Sequence, residues 1–204
     1  MSKETIDFIN QHANEVIKSV KGTGLFPSVA MAQMIIESSG KDEHGVFGIG
    51  KDIAVRKANN YFGIKADKGW KGPKVALSTP RDGQPVNYFR VYASALDSLQ
   101  DHRQFLLNNS RYRASGLFSA KTPLLQTEAL QRSGYSESPN YGKALMSLIE
   151  AYHLAKLDGN SDKGAPTFIA LTSILLLLLG GFLFRDAIKA QLQRFSVNSQ
   201  LLKT

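Results

Sequence analysis

The stretch FPSVAMAQMIIESSG, Phe26 to Gly40, constrains this chain most. Pro27 suits the first position of a helix, and apolar residues then run almost unbroken from Val29 to Ile36. A helix that is apolar on every side packs inside a domain, not on its surface. Glu37 closes it. A carboxyl there is either a solvated helix-end charge or a group kept in apolar surroundings because it must carry a proton. Ser38, Ser39 and Gly40 read as the turn that ends the helix.

The segments around it predict an α+β, mainly α, domain over residues 1–158. MSKETIDFINQHANEVIKSV reads as an amphipathic helix with Ile6, Ile9, Ala13, Val16, Ile17 and Val20 on one face, and it lacks the apolar core of a secretory signal. Gly22 and Gly24 break it before Pro27. Residues 41–92 are glycine-rich and short on helical period, and VAL and VNYFRVY around PRDG read as a β-hairpin or irregular sheet. Helical spacing returns over 93–158, with Leu96, Leu99, Phe105 and Leu106 on one face and Ala144, Leu145, Leu148, Ile149 and Tyr152 on another.

A polar linker, 159–166, then leads to TFIALTSILLLLLGGFLF, residues 167–184. Eighteen uncharged, mostly apolar residues make a helix about 27 Å long, roughly a bilayer's hydrocarbon core. The expectation is a C-terminal transmembrane helix followed by a basic amphipathic tail, 185–204. Arg185, Lys189, Arg194 and Lys203 in the tail outnumber Lys156 and Lys163 before the span, which favours a cytoplasmic tail and an outward-facing domain.

The net charge of +8 suits a polyanionic partner. The chain has no cysteine, which excludes disulfides, thiolate catalysis and cysteine-based zinc sites. No nucleic-acid recognition motif is present, so no nucleic-acid partner is expected. Asp42, Glu43 and His44 cluster in KDEHGVFGIGKD, but in a glycine-rich loop they read as a solvated turn; neither metal nor cofactor is expected.

Five pieces in order, FPSVAMAQMIIESSG, KANNYFGIK, WKG, FRVYAS with DSLQDHRQFL, and ALQRSGYSESPNYGKAL, together resemble the β-N-acetylglucosaminidase domain of glycoside hydrolase family 73. The resemblance covers about residues 4–158. It implies a lysozyme-like helical lobe with a small β-hairpin lobe, and cleavage of the β-1,4 bond on the reducing side of N-acetylglucosamine in bacterial cell-wall glycan. Peptidoglycan strands are then the partner, and a single-pass bacterial membrane protein facing the periplasm or wall is the implied setting. Alternatives are a muramidase or lytic transglycosylase of the same superfamily, or a lapsed wall-binding anchor.

The resemblance makes Glu37 the general acid, because a glycosidic oxygen leaves poorly unless protonated as its bond breaks. It places Asn60, Tyr61, Phe62 and Tyr141 at the substrate, and Tyr135 where a tyrosine helps to position substrate or nucleophile. Two departures stand out. Glu37 to Asn59 is 22 residues, longer than the pattern implies, so KDEHGVFGIGKD is an insert. Where many members carry a β-lobe glutamate, this chain has Arg81; Asp82 beside it is the candidate second carboxylate, with the substrate's own acetamide as the alternative. Trp70, Phe89 and Tyr92 read as β-lobe core, and His102 as a packed histidine.

Overall fold

The computed structural model describes residues 2–42, 44–77 and 86–159. Helix α1 (Lys3–Val20) starts where Ser2 Oγ accepts the Thr5 amide at 3.1 Å. Helix α2 (Pro27–Ser38) is buried at every position from Ser28 to Ser38, as its apolar run demands. Several of the other helices pack against it.

The buried face of α1 differs from the expected one. Thr5, Phe8, His12, Val16, Ser19 and Val20 point inward, while Ile6 and Ile17 are 38% and 39% exposed. Hydropathy favoured the isoleucines, but the polar residues are satisfied inside. Ser19 Oγ donates to Val16 O at 2.8 Å, and His12 Nδ1 lies 2.7 Å from Glu15 Oε2. Buried polar groups with partners cost little.

The insert after Glu37 is a small hairpin. Strand β1 (Gly40–Lys41) pairs antiparallel with β2 (Phe47–Gly48), and Asp42 accepts the amides of His44 and Val46 at 3.0 and 2.8 Å. Helix α3 (Ile53–Ala58) follows, capped by Asp52, whose carboxylate accepts the Ala54 amide at 2.8 Å. Glycine-rich surroundings hid this helix from the periodicity reading. Strands β3 (Lys74–Ala76) and β4 (Tyr88–Arg90) form the expected second hairpin, in register Lys74↔Arg90, Val75↔Phe89 and Ala76↔Tyr88.

Phe89 and Tyr92 are buried as expected, but Trp70 is only half-buried. Its indole is covered by the Arg90 guanidinium, 4.6 Å from the ring, a cation–π stack at the surface. Arg90 also docks the β-lobe on helix α4 (Ala95–Asn108), gripping both Asp101 oxygens at 3.0 and 2.9 Å. Tyr92 Oη donates to the same carboxylate at 2.6 Å. Burial first, and then the Asp101 charge, push the Tyr92 hydroxyl far above its ordinary pKa, so it remains a donor.

Helices α5 (Ser110–Ala114), α6 (Pro123–Arg132) and α7 (Tyr141–Ala151), with 3-10 turns at Leu117–Ser119 and Leu154–Asp158, complete the described chain. Gly142 lets α6 and α7 touch: a Cβ there would sit 2.9 Å from Thr127 O. Two long-range clasps hold α2 at its start. Gln126, fully buried, accepts the Phe26 amide at 2.8 Å and donates to Gly24 O and Leu117 O at 2.9 and 3.0 Å. Asp158 accepts from the Ser28 amide and hydroxyl at 2.8 and 2.7 Å. Gly24 is obligatory beside that clasp, since φ is +81° and a Cβ would lie 2.4 Å from Phe118 O.

Among the described residues no helix is long and apolar enough to cross a membrane. The expected span, 167–184, and the tail, 185–204, lie outside the described residues, as does Asp82. Replacing Gln126 by Leu removes hydrogen bonds to three backbone groups, of which the Leu117 carbonyl is buried, and is expected to cost about 2–4 kcal/mol. Urea unfolding checks this: the midpoint should fall with the slope unchanged.

Candidate active site

Glu37 occupies the last turn of α2 and is 5% exposed. Beyond it, Ser39 ends the helix, its amide donating to Ile36 O at 3.3 Å and its hydroxyl to Ile35 O at 2.6 Å. The carboxyl meets α7, where the Tyr141 hydroxyl donates to Glu37 Oε1 at 2.8 Å. Gln33, one turn before Glu37 on the same face of α2, donates from Nε2 to the Tyr141 oxygen at 3.3 Å. Tyr141 is 2% exposed; burial, with the nearby Glu37 charge second, lifts its hydroxyl well above the ordinary tyrosine pKa. It stays protonated and keeps donating.

Behind Tyr141 stands a column of rings. Tyr135, on the α6–α7 connection, stacks on Tyr141 with centroids 5.3 Å apart and planes 19° apart. Its hydroxyl lies 3.0 Å from His102 Nε2. The imidazole in turn stacks on Phe62 at 3.8 Å, nearly parallel at 2°. Of the expected site residues, the structure therefore gathers Glu37, Tyr141, Tyr135 and Phe62 into one assembly, with Phe62 at its far end.

Asn60 and Tyr61 both make contacts within the fold. Asn60 is fully buried, donating to Ile64 O and Arg90 O at 2.9 and 3.0 Å and accepting the Ile64 amide at 3.0 Å. Its amide ties the NNYFGIK turn to β4. Tyr61 packs against Phe8 and His12, with centroids 6.2 and 5.2 Å away, and its amide donates to Ser98 Oγ at 3.1 Å. Asn59, the neighbour, is the left-handed cap of α3, at φ 47°.

Sequence reasoning passed over Gln33. The signal was there, because Gln33 interrupts the apolar run four residues before the carboxyl it serves. His102 was read as packed, and it is; its position three after Leu99 and four before Leu106 puts it on the buried face of α4.

Comparison with known proteins identifies the family of the chain and its fold. Residues 13–154 match the glucosaminidase family, described as mannosyl-glycoprotein endo-beta-N-acetylglucosaminidase. The chain belongs to the glucosaminidase family. Peptidoglycan hydrolase FlgJ of Salmonella typhimurium is 36% identical over 116 residues, 54% of this chain and 34% of that protein. Exo-glucosaminidase LytG of Bacillus subtilis is 28% identical over 163 residues, 75% of this chain and 52% of that one. The chain thus spans a third to a half of these relatives. The catalytic domain of the Listeria monocytogenes autolysin Auto superposes with a TM-score of 0.63 at 27% identity, covering 78% of this chain and 89% of that one. This glucosaminidase-family domain has the lysozyme-like glycoside hydrolase fold, mainly helical with two small sheets.

Burial pushes the His102 imidazole from 6.5 down to about 3. Between those values the unfolded chain takes up a proton that the folded domain refuses. Stability is therefore greatest above pH 6.5 and falls on acidification, by up to about 1.4 kcal/mol per pH unit from this group. Urea unfolding at pH 7, 6, 5 and 4 tests the slope, which H102F should flatten.

Proposed function

We propose that the chain is a cell-wall glycan hydrolase that cleaves the β-1,4 bond on the reducing side of N-acetylglucosamine, with Glu37 as general acid. The observation that carries this reading is the buried Glu37 carboxyl held at Oε1 by a tyrosine that stays protonated. Membership of the glucosaminidase family supports it, as do the names of the relatives.

In this reading Glu37 holds its proton on the oxygen that Tyr141 does not engage. The proton passes to the glycosidic oxygen as the bond from that oxygen to the sugar's anomeric carbon breaks. As Glu37 becomes anionic the Tyr141 bond becomes charge-assisted and shortens, so it is stronger in the transition state than in the ground state. Asp82, or the substrate's 2-acetamido oxygen, then completes the displacement at the anomeric carbon.

The setting is part of the proposal. The uncharged run 167–184 is read as a membrane span, with peptidoglycan strands as the partner of an outward-facing domain and the basic residues of the tail on the cytoplasmic side. Deleting 166–204 should move the protein from the membrane to the soluble fraction. Full-length protein already soluble without detergent would show the span to be wrong.

E37Q should lower glycan release from purified sacculi by about a thousandfold while leaving the fold intact. Mass analysis of fragments released by the unaltered protein should find reducing N-acetylglucosamine ends. Reducing muramic acid ends would make it a muramidase, and anhydromuramyl ends a transglycosylase.

A further inference from the structure

The column Phe62, His102, Tyr135, Tyr141 runs unbroken into Glu37, and three of its members come from two helices and a connection. His102 sits on α4, Tyr141 opens α7, and Tyr135 lies on the connection between α6 and α7, where no helix or strand holds it. A ring on a connection keeps its place only through the contacts made to it. The Tyr135 amide donates to Leu130 O at 3.2 Å, which fixes the backbone, and the ring lies beside Tyr112 with centroids 6.1 Å apart. The hydroxyl contact with His102 Nε2 at 3.0 Å ties the far end of that side chain to α4.

The imidazole is itself immobile. It is 3% exposed, and its plane lies flat on Phe62, so Nε2, which lies in that plane, keeps a fixed direction. A leucine or phenylalanine would fill the same space, but neither offers a nitrogen to the tyrosine. Because burial keeps the ring neutral down to about pH 3, this hydrogen bond does not change character over the range in which such an enzyme works.

We propose that His102 is a positioning residue for the glycosidase reaction: by fixing the Tyr135 hydroxyl it fixes the ring on which Tyr141 stacks, and so aims the Tyr141 hydroxyl at Glu37. The inference rests on Glu37 being the acid. Gln33 steadies the Tyr141 oxygen from α2 at 3.3 Å, and the Tyr135 ring steadies its plane from the other side. Releasing either lets the donor drift from the carboxyl, and a misplacement of about 1 Å at a reacting group costs on the order of a hundredfold in rate.

A double-mutant cycle on the full chain separates positioning from packing. H102F keeps the size and the stack on Phe62 but removes the nitrogen, and Y135F removes the hydroxyl. Each is expected to lower kcat about tenfold per folded molecule with KM nearly unchanged, and the double variant is expected to be no slower than the slower single. H102Q, whose amide can reach the same hydroxyl, should recover part of the loss. Wild-type kcat in H102F, losses that multiply in the double variant, or an H102Q no faster than H102F would each overturn the proposal. An inactive wild-type chain would sink the glycosidase reading and this inference with it. Turnover with multiplying losses would sink the inference alone.

Discussion

Helix α2 has no side facing water, and the arrangement of the domain follows from that. A surface helix can satisfy its ends with solvent, but one buried throughout must find protein partners for its first amides and for any polar side chain it carries. Gln126 and Asp158 answer at the start of α2, reaching it from about a hundred or more residues downstream. At the other end a carboxyl is answered by a tyrosine. The same burial that makes α2 the axis of the fold makes Glu37 a group whose charge is governed by protein dipoles rather than by water.

Much of this was legible in the sequence, for reasons that differ from element to element. The run VAMAQMII could only be an interior helix, and Pro27 and Ser39 mark its ends. The VAL and VNYFRVY hairpin was readable from alternation around a turn. The inward face of α1 was not, because hydropathy ranks Ile6 and Ile17 above Thr5, His12 and Ser19; Glu15 and the Val16 carbonyl satisfy His12 and Ser19 locally, while the Tyr152 partner of Thr5 is a matter of tertiary geometry. Helix α3, six residues long, is too short to show a period.

The candidate site shows the same division. Glu37 and Tyr141 were picked out by resemblance to a family, and the fold brings them within a hydrogen bond although they are 104 residues apart. Asn60 shows that a motif residue can have a structural role of its own. A fully buried amide that bonds both Ile64 and Arg90 leaves any replacement with unpaired backbone groups, so NNYFGIK has a structural reason to exist before any sugar is considered. His102 and Gln33 act through Tyr135 and Tyr141, at a distance no linear spacing displays.

The Asp158 clasp bears on where this domain stops. The stretch matching the glucosaminidase family ends at residue 154, yet the carboxylate that receives the Ser28 amide and hydroxyl lies four residues further on. A negative charge at that place also opposes the positive end of the α2 dipole. A fragment cut at the edge of the family match would retain Glu37 and the rings behind it but lose the anchor at the opposite end of the same helix. The packed domain therefore extends past the edge of the family match, and its last turn acts at a distance of a whole helix from the carboxyl.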